Sequence, residues 1–198
     1  LVRGSAAWDS GPARRESTVR IDCFEKYSLE DLIAQQQSDT PGRCYAGIDI
    51  SSSRDTTSVA FSVENPHNGT VRTHVEFFLP RAEVERSINS FSYKDWEKRG
   101  YLNVTEGDII DPDAVHKRCV ELFSLLGPTA CYYDRSYATQ FCQRLANLSG
   151  VECVVFPQTY MMFSPILRQL EIAINQATIR HNGNKCLTWQ IANAESVI

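Results

Sequence analysis

The chain has 198 residues, 42% of them hydrophobic and 22% charged, with a formal net charge of −4. This composition excludes a disordered chain and suits one compact domain, or one domain with a tail. The acidic balance argues against a protein that simply coats nucleic acid, although a local basic patch beside an acidic site remains compatible with DNA.

Residues 1–43 read as a linker or an incomplete preceding element. The stretch LVRGSAAWDSGPARRESTVR is polar and without a sustained period, and LVRGS resembles a protease-tag scar. Within this segment, 28–37 (SLEDLIAQQQ) predicts a short helix with Ser28 as N-cap and Asp31 where a capping box usually carries Glu or Gln. From residue 44 the pattern becomes regular. Residues 44–51 predict a buried strand, and 57–64 (TSVAFSVE) alternates as a second. A turn with Asn68-Gly69 at its tip leads to a third strand over 70–79. Helical character over 81–99 and a short strand over 101–105 follow. Asp111 and Pro112 cap a helix that Gly127 ends. Then come a strand over 129–134, a helix over 136–148, a strand over 151–157, and a helix opened by Ser164-Pro165 that runs to about Gln176. Three hairpin strands followed by βα units predict an α/β fold: a mixed sheet with helices on both faces.

The seven cysteines show no CxxC spacing and read as reduced thiols, with neither a disulfide framework nor a zinc site. No stretch approaches the ~20 apolar residues of a membrane span, and no apolar signal core is visible.

Two carboxylates stand out. Asp49 lies between Ile48 and Ile50 on the opening strand, where helix capping cannot explain it. Asp134 closes the strand TACYYD. If these strands are neighbours, both carboxylates reach one rim of the sheet. Two such groups repel, and burying them uncompensated costs roughly several kcal/mol. A divalent cation, Mg²⁺ or Mn²⁺, resolves the repulsion. Two such ions about 3.5–4 Å apart would activate a water and stabilise the leaving oxygen of a phosphodiester. Plainer readings exist. Asp134 is an equally good N-cap for the next helix. Asp55 reads as a turn residue able to orient the loop of Asp49. Asp108, Asp111 and Asp113 read as turn and cap residues, and His181 as part of a turn. Arg54, Arg135 and Arg180 are candidate phosphate contacts, with solvated surface arginine an equal alternative for each.

Taken together, GIDISSSRDTTSVAF (47–61), FFLP (77–80), SYKDWEKRGYLNVTEGDIIDPDAV (92–115), YYDRSYATQFCQRL (132–145) and SPILRQLEIAINQATIRHNGN with Trp189 and Asn193 resemble the nuclease domain of the tailed-bacteriophage large terminase subunit. The resemblance covers roughly residues 44–194 and rests on the order and spacing of these pieces. It implies a ribonuclease H-like fold over 44–198 and a metal-dependent, two-ion endonuclease that cuts concatemeric double-stranded DNA during genome packaging. It places Asp49 and Asp134 as the first and second acids, and expects a third acid beyond residue 198. Arg135 stands where many relatives have proline. The implied partners are the terminase ATPase domain, the small terminase subunit and the portal, and the implied location is the cytoplasm of the bacterial host. No GxxxxGK[ST] phosphate loop is present, so the chain reads as a fragment without the motor. Two alternatives stay open. One is an inactive DNA-binding or docking fragment. The other is an actin-like or sugar-kinase-like nucleotide-binding domain, weakened by a turn that lacks glycine.

Overall fold

The computed structural model describes residues 23–51 and 55–194. The sheet grows from alternation. In β2 (Thr57–Glu64) the residues Thr57, Val59, Phe61 and Val63 are buried while their neighbours are half-buried on the other face. That is the period-two pattern of a strand with one face on a core. It pairs antiparallel with β1 (Cys44–Asp49) on one side and β3 (Val71–Pro80) on the other. β4 (Asn103–Thr105) runs parallel to the end of β3, and β5 (Ala130–Tyr133) runs parallel to β1. β6 (Glu152–Val155) extends the sheet beyond β5, giving the order β4-β3-β2-β1-β5-β6. A seventh strand, β7 (Ile179–His181), pairs with the start of β3.

Helices cover both faces, as expected. On one face α1 (Leu29–Gln36), α4 (Pro112–Leu126) and α5 (Arg135–Ser149) enclose the main core around Ile48, Phe61, Leu122, Leu126 and Leu145. On the other, α2 (Arg81–Arg86), α3 (Ser90–Lys98) and α7 (Lys185–Ala192) build a second core with Phe77, Leu79, Val84, Trp96 and Cys186. The helix α6 (Tyr160–Asn175) has no buried residue.

The caps follow the sequence closely. Ser28 and Asp31 form a reciprocal capping box, Asp serving where Glu is usual. Asp111 caps α4 with Pro112 at its first position, and Gly127 ends it at φ 56°, a left-handed conformation that favours glycine.

The structure refines two expectations and corrects two. Residues 23–43 contain more than a linker: Leu32 is fully buried in the main core, and the Tyr27 hydroxyl donates to the Thr73 carbonyl at 2.6 Å. The helical stretch 81–99 is two helices, because Ser87 is extended and its hydroxyl accepts the Asn89 N–H, a local bond that competes with the helix. The helix expected from Ser164-Pro165 begins at Tyr160, which leaves Pro165 inside it. His181 ends a strand rather than lying in a turn, and α7 follows where no element was expected. The Asn184 side chain starts α7 by accepting the N–H groups of Cys186 and Leu187.

Because α1 closes the main core, Leu32→Ala is expected to cost about 2–5 kcal/mol, as for other buried leucines. Urea unfolding measures this. A loss near zero would show that α1 is only tethered to the domain.

Candidate active site

Parallel pairing brings the two singled-out aspartates together. Ile48 of β1 is the register partner of Tyr133 of β5. Asp49 and Asp134 are the next residues on the two strands, at the same end of the sheet, with neighbouring strands about 4.8 Å apart. Their position at the C-terminal ends of parallel strands is the usual place for a ligand site in an α/β sheet.

The strand that carries Asp49 is buried on one face only. Cys44, Ala46 and Ile48 point into the main core, while Tyr45 and Asp49 are exposed on the opposite face. On that second face Gly47 sits between Ala60 and Tyr132, Tyr45 beside Ser62 and Asp49 beside Ser58, so side chains are small on the β2 side of the acids and aromatic on the β5 side. The exposed rings of Tyr45 and Tyr132 stand 6.5 Å apart on it.

Asp49 carries the electrostatic signature of the site. Its carboxyl is pushed above the ordinary aspartate range, first by loss of hydration and then by the negative charges of Asp55 and Asp134. The residue as a whole is exposed, so the shift reports crowding on one side of the carboxyl rather than enclosure. Asp134 occupies the N-cap position of α5, yet its side chain makes no capping bond. Its Oδ2 instead accepts the Ser136 hydroxyl at 3.1 Å. The capping role that competed with a functional one is thus not taken up.

Asp55 is the third carboxylate near this pair. It is a turn residue, with Oδ1 accepting the N–H of Thr56 at 2.9 Å, but it also acts on Asp49. The turn is pinned again by the Thr57 hydroxyl, which accepts the Ser51 N–H at 2.9 Å. The available signal was its spacing: six residues on from Asp49, directly before the strand that pairs with β1.

The candidate arginines part company. Arg54 lies outside the described residues. Arg135 is exposed and directly follows Asp134 at the start of α5. Arg180 is not brought to the acids. It aligns through Arg72 and Val63 with Cys44, the end of β1 opposite Asp49. Asp111 caps α4, while Asp113 and Asp108 pair with Arg144 and Arg86. A cavity of about 490 Å³ between α3 and α7, lined by Trp96, Arg99, Lys185 and Trp189, contains none of Asp49, Asp55 and Asp134.

Among the described residues no group of three or more His, Cys, Asp or Glu side chains is arranged to hold a metal ion by itself. The donor chemistry nevertheless fits a hard cation of the Mg²⁺ type. Such an ion binds through one or two carboxylates and completes its shell with water and substrate phosphate. A fully protein-built cage is not what these residues make.

Residues 16–198 match the family model for the terminase large subunit, endonuclease domain. The chain belongs to this family. Among curated relatives, the terminase large subunit of Enterobacteria phage HK97 is 26% identical over 185 residues, covering 91% of this chain and 36% of that protein. Protein YmfN of Escherichia coli K12 is 23% identical, covering 90% of this chain and 41% of that protein. The crystal structure of the HK97 bacteriophage large terminase superposes with a TM-score of 0.66 at 24% identity, covering 80% of this chain and 34% of that one. The terminase domain described here therefore spans well under half the length of the relatives it matches. Its mixed seven-stranded sheet is the ribonuclease H-like fold. Family membership displaces the actin-like and sugar-kinase-like alternative.

No helix among the described residues is long and apolar enough to cross a membrane.

Proposed function

We propose that this terminase domain is a metal-dependent endonuclease acting on double-stranded DNA, with Asp49 and Asp134 as metal-binding catalytic acids and Asp55 beside them. The observation that carries this reading is the parallel register that places Asp49 and Asp134 side by side at the end of β1 and β5. The raised carboxyl of Asp49 supports it, since clustered carboxylates are stabilised by a cation.

Bound Mg²⁺ or Mn²⁺, two ions in this reading, would supply charge neutralisation at the scissile phosphate and an activated water. The chain's own residues do the placing. Asp49 is held by β1, whose register with β2 and β5 fixes its direction. Asp134 is fixed at the β5–α5 junction, where the Ser136 hydroxyl orients one carboxylate oxygen. Arg135 is positioned to meet a backbone phosphate, a contact without base readout. Asp49 is exposed and Asp134 half-buried, an accessibility compatible with a duplex substrate. We extend the reading to concatemeric DNA as substrate, to the ATPase domain, small subunit and portal as partners, and to the host cytoplasm as the location, with family membership as the support.

Supercoiled-plasmid nicking with Mg²⁺ or Mn²⁺, beside a chelator control, tests the reading. Asp55→Asn is expected to raise the Mn²⁺ concentration needed for half-maximal cleavage by about 10-fold or more, the range for groups that orient or share a metal site. An unchanged metal dependence would remove Asp55 from the site. The second reading, an inactive docking fragment, is favoured by the incomplete set of metal-holding side chains among the described residues. A folded chain that binds DNA and cuts it in no metal would establish that reading instead.

A further inference from the structure

Thr56, which leads into β2, is held from outside by a helix distant in sequence. The Gln190 side-chain amide on α7 donates to the Thr56 hydroxyl at 3.0 Å. The Thr56 N–H in turn donates to Oδ1 of Asp55, one of the two charges that act on Asp49. A side chain 134 residues away thus connects, through one threonine, to the carboxylates at the end of β1.

The helix supplying Gln190 is itself well anchored. Asn184, buried at its N-terminus, accepts the N–H groups of Cys186 and Leu187, and its amide reaches the carbonyls of Val75 and Tyr101 at 3.4 and 3.3 Å. Cys186, one turn before Gln190 on the same helical face, is buried in the second core. The anchor therefore runs from the β3–α3–β4 side of the sheet to Thr56, between Asp55 and the start of β2. Exposed turns do not hold a carboxylate direction by themselves, and groups that orient ligating carboxylates tune metal affinity as ligands do.

We propose that Gln190 is a positioning residue: through Thr56 it fixes the direction of the Asp55 carboxylate and thereby sets the affinity of the acidic site for a divalent cation. This rests on the assignment of Asp49 and Asp134 as the metal site. It predicts that α7 and the residues leading into β2 act as one unit, with Gln190 acting through Thr56.

The test uses the whole 198-residue chain with Gln190→Ala, Thr56→Val, Thr56→Ser and the double variant Gln190→Ala/Thr56→Val. In the absence of metal, amide hydrogen exchange at Thr56 is expected to speed up roughly fivefold in Gln190→Ala, the effect of losing one ordinary hydrogen bond. Mn²⁺ titration calorimetry is expected to show an affinity loss of roughly 10-fold in Gln190→Ala and in Thr56→Val. The double variant should lose no more than either alone, because both cut one link, and Thr56→Ser should retain wild-type affinity. Unchanged Thr56 exchange overturns the proposal whether or not metal binds. Faster exchange with unchanged Mn²⁺ affinity, or additive losses in the double variant, overturns the positioning role. Asp49→Asn in the same calorimeter separates the two layers. If it binds Mn²⁺ like the wild type, the metal-site assignment falls and the positioning role with it. If it loses binding while Gln190→Ala does not, only the role of Gln190 falls.

Discussion

Asp49→Asn is expected to abolish metal-dependent plasmid nicking, with a loss greater than roughly 100-fold. That is the upper end for residues that merely orient a ligand, and a ligand itself exceeds it. The same substitution is expected to raise the metal-free melting temperature slightly. The native environment raises the Asp49 carboxyl above its ordinary range through lost hydration and the charges of Asp55 and Asp134. A group whose folded pKa lies above its unfolded one destabilises the fold when ionised. Its contribution is most favourable below the unfolded pKa and declines as pH rises through the folded value. At neutral pH the carboxylate is therefore a liability that Asn removes. Thermal unfolding with and without Mn²⁺ checks both halves. Wild type should gain stability from the ion, and Asp49→Asn should gain little. A variant that nicks as fast as wild type, or that is destabilised without metal, would contradict the assignment of Asp49. Improved stability with lost activity is the pattern expected where function maintains clustered charge.

The second large effect concerns stability away from the acids. Glu76 of β3 is 8% exposed and lies on the core side of the sheet. Arg118 of α4 holds it, with Nε 3.0 Å from both carboxylate oxygens, while His74 Nε2 and Asn103 Nδ2 each approach to 3.3 Å. Burial by itself would raise this carboxyl, but the hydrogen bonds and charges of His74 and Arg118 outweigh it and bring the pKa from 4.5 down to about 2. Arg118→Ala removes the main partner and strands a buried carboxylate, so a loss of about 3–5 kcal/mol is expected in urea unfolding at neutral pH. Replacing both residues by leucine should recover most of it, because an apolar pair leaves no charge to desolvate. A loss below about 1 kcal/mol in Arg118→Ala would show that solvent reaches Glu76. The wild-type pH dependence follows from the direction of the shift. A depressed carboxyl contributes stability above its unfolded pKa and loses it as pH falls through the folded value. The contribution of up to about 3 kcal/mol should therefore fade between pH 4.5 and about 2. Arg118→Ala should flatten that acid limb.

Much of this terminase domain was legible in the order of its residues. Thr57–Glu64 announced a one-faced strand because its alternation is complete in eight residues. The ends of α4 were readable because Asp111, Pro112 and Gly127 act within one turn of the backbone they cap. Asp49 could be singled out because a carboxylate between Ile48 and Ile50 has no capping role in a strand, whereas Asp134 had an equally good reading as the N-cap of the next helix. The motif order between residues 44 and 194 pointed to the family that the comparison over residues 16–198 shows.

The remainder was decided by contacts between segments far apart in the chain. Sequence proposed two acids, but only the parallel register of β1 with β5 made them neighbours. It offered Arg180 beside Arg135, which adjoins an acid in sequence, and only the pairing of β7 with the start of β3 carried Arg180 to the far end of the sheet. It gave no hint that Gln190 reaches Thr56 or that Arg118 reaches Glu76. Periodicity and capping are local, set by a few backbone dihedrals and nearby side chains, so residue order determines them directly. Which strand lies beside which, and in what register, is chosen by burial of the whole sheet face against loop-closure entropy, and no short window of sequence contains that balance.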